Sequence, residues 1–100
     1  MTQAPAYVER VGNLHIHTVL SDGSGTYAEV TKAARQAGLD FIVITDHNVR
    51  PSGREGWQDG VLRVVGEEIH DPENPEANHL LVLGAGRSLA NLAGDTQAVI

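Results

Sequence analysis

Apolar residues in this chain form four short runs, separated by polar segments that contain most of its prolines and glycines. Short runs bounded by turn-forming residues are typical of β-strands. The pattern predicts strands at residues 11–17, 41–45, 61–69 and 80–83. The second run is apolar up to its last residue, as expected for a strand whose two faces are both covered in a parallel sheet.

One amphipathic helix is predicted between the first two strands. Thr26 is suited to cap its N-terminus, and Glu29, three residues later, completes a capping box. Gly38 is suited to end it. The apolar positions at helical spacing are Val30, Ala33, Ala34 and Ala37. A strand, a helix and a strand with short connections predict a right-handed βαβ unit and a mainly parallel sheet.

The remaining segments are polar connections. Residues 46–60 contain a proline and three glycines, with a short turn of helix predicted near Trp57. Residues 71–78 contain two prolines and cannot extend a strand. Asp95 is suited to cap a helix that begins at Thr96.

Length and composition restrict the class of protein. The 100 residues, 41% of them hydrophobic, suffice for one domain with a modest core. No apolar run is long enough for a membrane span, and no secretory signal pattern opens the chain, so we expect a cytoplasmic protein. There are no cysteines, so any metal must be bound through nitrogen and oxygen.

The net charge argues against nucleic acid as a partner. Thirteen acidic residues against seven basic ones give a formal charge of −6, and the basic residues form no cluster. Such a surface repels phosphate backbones, so duplex nucleic acid is a poor candidate partner. Bound divalent cations would neutralise part of this charge.

Residues that can bind metal lie at or beside one end of every predicted strand. His15 and His17 alternate with apolar neighbours, so they point to the same side of the first strand, while Leu14 and Ile16 point into apolar packing. The other candidates are Asp22, Asp46, His47, Glu67, Glu68, His70 and His79. Ligands in parallel α/β folds gather at the carboxyl ends of strands, and this donor set suits Mn, Fe or Zn.

Four ordered motifs resemble those of the polymerase-and-histidinol-phosphatase (PHP) family. They are residues 15–23 (HIHTVLSDG), residues 44–48 (ITDHN), residues 66–68 (GEE) and His79. The match runs from about Asn13 to Gly84 and is most similar to the stand-alone metallohydrolases grouped with carbaryl hydrolases. The resemblance implies a distorted (β/α)7 TIM-like barrel in which metal-bound water, and no protein nucleophile, hydrolyses phosphoesters.

The resemblance also implies two or three divalent metal ions. One would be held by His15, His17 and Glu68, with Glu68 bridging to a neighbouring ion. Asp22 and His47 would contribute to a second site, and Glu68 with His79 to a third. Family members complete these sites from the second half of the barrel. We therefore expect residues 1–100 to be a single, incomplete domain that by itself binds metal weakly and catalyses little.

Three neighbouring residues have simpler interpretations. Asp46 is expected to orient the imidazole of His47 instead of binding metal. The Gly-x-Glu spacing favours Glu68 as the residue that faces the site, which leaves Glu67 exposed or facing a helix, although the reverse assignment stays open. His70 either reaches the substrate or is a solvated loop histidine, and the loop interpretation is favoured.

Three functions remain open at this point. The main hypothesis is a metal-dependent phosphoesterase that acts on a small molecule. The second is a carboxylic or carbamate ester hydrolase on the same scaffold. The third is a metal-binding fragment or regulatory module without catalysis. No membrane partner is expected, and the pattern does not indicate an oligomeric state.

Overall fold

A computed structural model describes residues 6–74, 76 and 79–100, and this part of the chain forms six strands and three short helices. The strands are β1 (Gly12–Ile16), β2 (Phe41–Ile44), β3 (Gly56–Gln58), β4 (Val61–Val65), β5 (Glu67–Ile69) and β6 (Leu80–Val82). The helices are α1 (Tyr27–Gln36), a 3-10 helix (Ala90–Leu92) and α2 (Thr96–Val99). No helix in the described residues is long and apolar enough to cross a membrane.

A four-stranded sheet in the order β1-β2-β4-β3 is the main structural layer. β1, β2 and β4 are parallel, and α1 connects β1 to β2, so the predicted βαβ unit is confirmed. β1 lies at the edge of this sheet, and the predicted burial of Leu14 is wrong, because its side chain is 55% exposed there. Ile16 packs against the core as predicted.

The connection from β2 to β4 contains a strand where a turn of helix was predicted. β3 pairs antiparallel with β4, and Trp57 lies opposite Leu62. The two strands are joined by Asp59 and Gly60, which both have positive φ, at 50° and 80°. A tight hairpin turn of this kind requires positive φ at both central residues, and Asp-Gly adopts it readily. The Asp59-Gly60 pair was the sequence signal for this hairpin.

The predicted third strand is interrupted at Gly66. Residues before it form β4 in the main sheet, and residues after it form β5, which pairs antiparallel with β6 in a second sheet. A Cβ at Gly66 would lie 2.7 Å from a methyl group of Leu83 and 2.8 Å from the carbonyl oxygen of Val82. The absence of a side chain at Gly66 therefore allows Val82 and Leu83 to pack directly against the backbone there. The sequence pattern, which predicts one continuous strand, gives no sign of this contact.

Helix α1 begins where predicted and buries part of the predicted stripe, because Ala34 is buried and Val30 packs against the core. Thr26 and Glu29 form the capping box, with both hydrogen bonds at 3.1 Å. The buried residues are Tyr27, Thr31 and Ala34, whereas Ala33 and Ala37 of the predicted stripe are exposed. The core cluster of the described residues consists of Tyr27, Ala34, Ile42, Ile44, Val61 and Val65. Tyr27, which was not among the predicted apolar positions, joins this core, and the guanidinium groups of Arg54 and Arg63 lie over its ring.

At the end of the chain, the predicted cap of α2 is confirmed, because Asp95 Oδ1 accepts a hydrogen bond from the Ala98 backbone N–H at 3.2 Å. The 3-10 helix that precedes α2 was not predicted. It follows Ser88 and Leu89, both of which donate hydrogen bonds to Glu67 of β5.

Candidate metal centre

Polar residues at the carboxyl ends of β1 and β2 lie beside β5. Beyond the end of β2, His47 forms a parallel bridge with Glu68. The Glu68 backbone N–H donates to the carbonyl of Asp46 at 3.0 Å, and the Asn48 N–H donates to the carbonyl of Glu68 at 3.1 Å. These backbone bonds fix β5 beside the carboxyl end of β2 and direct the Glu68 side chain toward β1.

The Glu68 carboxylate lies between three histidines. Its Oε1 atom is 2.7 Å from Nε2 of His15 and 2.7 Å from Nε2 of His17. Its Oε2 atom is 2.9 Å from Nδ1 of His79, which precedes β6. The residue is only 5% exposed. One buried carboxylate therefore joins side chains from three separate parts of the chain, on the face that the Gly-x-Glu spacing predicted.

All six predicted metal ligands fall into three overlapping groups. In each group the possible ligand atoms lie within 4.8 Å of one another. The groups are His15, His17 and Glu68; His17, Asp22 and His47; and His47, Glu68 and His79. The resemblance implied three sites in which only Glu68 was shared. In the structure, His17 and His47 also belong to two groups each.

The donor set fits a divalent transition metal. Nε2 of His15 and Nε2 of His17 are 3.0 Å apart, and each is 2.7 Å from Glu68 Oε1. Neighbouring ligand atoms come this close when bonds from a shared ion to nitrogen and oxygen are about 2.1 Å long. Two imidazoles and a carboxylate are ligands suited to Mn, Fe or Zn, and the distances do not select among these metals.

Both carboxylates in the groups favour the ionised form. Burial raises the pKa of Glu68, but hydrogen bonds from His15 and His79 outweigh it, and the pKa is lowered from 4.5. Asp22 shows the same balance, in which desolvation opposes and a hydrogen bond from His17 favours ionisation, so its pKa is lowered from 3.8. Negative oxygens at neutral pH are what a cation site requires.

Asp46 positions a loop, and its expected contact with the His47 ring is not formed. Its carboxylate is 1% exposed and accepts three hydrogen bonds of 2.6 Å, from the backbone N–H and the hydroxyl of Thr18 and from the hydroxyl of Ser21. The loop held in this way carries Asp22. Thr18 and Ser21, which both belong to the first motif, therefore hold this loop through Asp46.

Glu67 is buried on the opposite side of β5 from Glu68. Its side chain has 0% exposure and accepts hydrogen bonds from the Ser88 hydroxyl at 2.6 Å and the Leu89 backbone N–H at 2.8 Å. The prediction that Glu67 is an exposed charge is therefore wrong. The alternative prediction, that Glu67 faces a helix, agrees better with the structure, because Ser88 and Leu89 directly precede the 3-10 helix. The strand alternation separates the two adjacent carboxylates as expected.

His70 contacts the candidate metal centre, and the prediction of a solvated loop histidine is wrong. The half-buried ring places Nδ1 at 2.8 Å from Nδ1 of His47, and it stacks on the ring of His79 with centroids 5.5 Å apart. Desolvation and the nearby His47 and His79 lower its pKa from 6.5. The contact arises because the side chain of Asn48 holds the His70 backbone beside the residues that follow β2, just beyond the end of β5.

The loop before α1 leaves no room for a side chain at Gly23. A Cβ there would lie 2.2 Å from the carbonyl oxygen of His17. We expect Gly23→Ala to displace Asp22, to lower metal affinity about 10-fold or more, and to cost about 2 kcal/mol of unfolding free energy. Titration calorimetry and urea denaturation measure the two effects. Gly94→Ala is the control, because nothing lies within 4 Å of its added Cβ.

The lowered pKa of Glu68 predicts acid lability of the metal-free protein. Because the folded state holds the proton less tightly than the unfolded chain, the stabilisation is present above pH 4.5 and is lost as the pH falls through the lowered pKa. We expect the urea midpoint to decrease between about pH 6 and about pH 3. Glu68→Gln should reduce that decrease, and an equal decrease in both proteins would show that Glu68 is not the titrating group.

The chain is similar in sequence to a known phosphodiesterase. The chain is 35% identical over 95 residues to a phosphoribosyl 1,2-cyclic phosphate 1,2-diphosphodiesterase of Eggerthella lenta. The alignment covers 86% of this chain and 36% of that enzyme. The chain is a distant relative of a phosphoesterase.

That relationship covers the residues of the candidate metal centre but only part of the relative. The chain spans about a third of the length of the Eggerthella enzyme. No family model and no solved structure matches the chain.

Proposed function

We propose that this chain forms part of a metal-dependent phosphoesterase of the PHP family, acting on a small-molecule phosphoester. The observation that carries the proposal is the Glu68 carboxylate, which lies within 2.9 Å of ring nitrogens of three histidines. The related phosphodiesterase supports phosphoester chemistry in particular. We name no substrate beyond that class.

The proposed ligands follow from the three groups. His15, His17 and Glu68 would hold one ion, with Glu68 shared with a neighbour toward His79, while Asp22 and His47 would serve a further site. Divalent ions bound there would activate water as the nucleophile and would neutralise charge on the phosphoryl group. The protein's own task is to keep these donors oriented, which the buried carboxylate of Asp46 does for the loop that carries Asp22.

The arrangement of Ser21 argues against a serine nucleophile. Its hydroxyl donates to Asp46 at 2.6 Å and is 3.5 Å from Nδ1 of His17. That nitrogen is closer to Asp22, at 2.7 Å. Because the hydroxyl proton goes to a buried carboxylate and the histidine is paired elsewhere, the geometry lacks the nucleophile-to-base hydrogen bond that such catalysis requires.

We further propose that the chain is one part of a TIM-like barrel. The parallel strands β1, β2 and β4 and the polar residues beyond β1 and β2 support this architecture. In that arrangement, further ligands from the rest of the barrel would complete each group. The antiparallel pair of β5 and β6 would be a local departure from the barrel pattern.

The proposal is tested with the complete protein, loaded with Mn²⁺ or Zn²⁺ and assayed on p-nitrophenyl phosphate, bis(p-nitrophenyl) phosphate and a naphthyl ester. We expect hydrolysis of a phosphoester that a chelator reduces at least about 100-fold and that added metal restores. Activity confined to the naphthyl ester would favour a carboxylic or carbamate ester hydrolase. Absence of bound metal and of turnover would favour a non-catalytic module.

A further inference from the structure

His47 has two ring nitrogens that face different surroundings. Nε2 is 3.4 Å from Asp22 Oδ2 and 3.8 Å from Glu68 Oε1, so it belongs to the groups of possible metal ligands. Nδ1 points the other way and lies 2.8 Å from Nδ1 of His70. A histidine that binds metal through one nitrogen commonly donates the proton on the other to a fixed acceptor, usually a carboxylate or a carbonyl.

We propose that His70 is that acceptor: through Nδ1 it holds the His47 ring with Nε2 directed at the metal. The inference rests on the proposed function. With Nε2 of His47 free to bind metal, the ring proton of His47 is on Nδ1. That proton is donated to the lone pair on Nδ1 of His70, whose own proton is then on Nε2. His70 acts through His47 and is a positioning residue.

The position of His70 is itself fixed by the residue next to His47. The Asn48 side-chain amide donates to the carbonyl of His70 at 2.8 Å, and its oxygen accepts from the His70 backbone N–H at 3.0 Å. Asn48 has a φ of 52°, a conformation that asparagine tolerates better than most residues. The side chain of Asn48 therefore pairs with the His70 backbone as a neighbouring strand would, beyond the last residue of β5.

The ring contacts agree with this role. The rings of His47 and His70 meet edge to face, with centroids 4.4 Å apart and planes at 88°. Rings at this angle are not stacked, and the Nδ1–Nδ1 distance of 2.8 Å makes the contact a hydrogen bond. Stacking of His70 is instead on His79, with an angle of 16° between the planes. His70 thus touches two of the proposed ligands at once.

The test compares three replacements of His70 in the complete protein, with Zn²⁺ affinity as the measurement. Asparagine places an oxygen near the position of Nδ1 and should keep the affinity within about 3-fold, whereas phenylalanine keeps the ring and removes the acceptor. We expect His70→Phe to lower Zn²⁺ affinity about 10- to 100-fold. His70→Gln, whose amide reaches past the Nδ1 position, should resemble phenylalanine.

Unchanged affinity in His70→Phe would overturn the inference, because the ring alone would then suffice. An equal loss in the asparagine and phenylalanine variants would also overturn it, because restoring an acceptor at the Nδ1 position would then make no difference. A wild-type protein that binds no Zn²⁺ would overturn the proposed function first, so the two failures are distinguishable. Circular dichroism shows whether each variant folds.

A second measurement needs no variant. Nitrogen-15 NMR of the zinc-loaded wild-type protein should show the proton of His47 on Nδ1 and that of His70 on Nε2. A proton on Nδ1 of His70 would contradict the proposed acceptor role. Asn48→Gly tests the support of His70 separately, because glycine keeps the positive φ but lacks the amide. We expect it to lower Zn²⁺ affinity in the same direction as His70→Phe, and an unchanged affinity would count against that support.

Discussion

Glu68→Gln in the complete protein is expected to lower the affinity for divalent metal by about 100-fold or more and to abolish the proposed phosphoester hydrolysis. The carboxylate lies within 2.9 Å of ring nitrogens of His15, His17 and His79. Glutamine keeps the size of the side chain but removes the negative charge. It also replaces one of the two oxygens with an NH2 group, which cannot bind a metal ion. Titration calorimetry with Mn²⁺ and Zn²⁺ measures the loss, and initial rates on a phosphoester measure the activity.

Glu73→Gln is the matched control for this substitution. Glu73 is exposed and lies in the turn after β5, so the same loss of one negative charge should leave metal affinity within about 2-fold. If Glu68→Gln bound metal as tightly as the wild type, the carboxylate would be only a hydrogen-bond partner of the histidines and would not be a metal ligand. If both variants lost affinity equally, the effect would come from overall charge.

Asp46→Asn is expected to have the largest effect on stability, a loss of about 3 kcal/mol of unfolding free energy. The buried carboxylate accepts three hydrogen bonds of 2.6 Å from Thr18 and Ser21. Asparagine replaces one acceptor oxygen with an NH2 group that would face these donors, so at least one buried donor loses its partner. Because folded domains are stable by only about 5–15 kcal/mol, such a loss is readily measured by urea denaturation.

Asp59→Asn is the corresponding control. Asp59 is an exposed residue whose carboxylate is 3.8 Å from Arg35, and asparagine also tolerates its positive φ. We expect a change within about 0.5 kcal/mol. The effect of Asp46→Asn should be present without metal, because it acts through the loop after β1. Equal stability of Asp46→Asn and wild type would show that Thr18 and Ser21 find other acceptors, and the positioning role would then be wrong.

Local sequence signals predicted the elements that depend on local physics. The capping box of Thr26 and Glu29 determines where α1 begins, and the apolar residues of β2 determine a buried strand. The alternation of side chains along a strand likewise placed His15 and His17 on one side and separated Glu67 from Glu68. None of these features requires knowledge of a distant part of the chain.

Features that depend on contacts between distant residues were predicted less well. The break at Gly66 exists because Val82 and Leu83 approach the backbone there, 16 and 17 residues further along the chain. The burial of Glu67 depends on Ser88 and Leu89, and the role of Asp46 depends on hydroxyl groups that follow β1. Polar residues with buried partners look like surface residues in a sequence, because the partner is not a neighbour.

We propose above all that His15, His17 and Glu68 hold one divalent ion in common. Crystals of the complete protein grown with Mn²⁺, measured at a wavelength that gives anomalous scattering from manganese, test it directly. We expect an anomalous peak within bonding distance of Nε2 of both histidines and of Glu68 Oε1. A fully manganese-loaded protein whose peaks all lie elsewhere, with these three side chains bonded only to one another, would contradict the account.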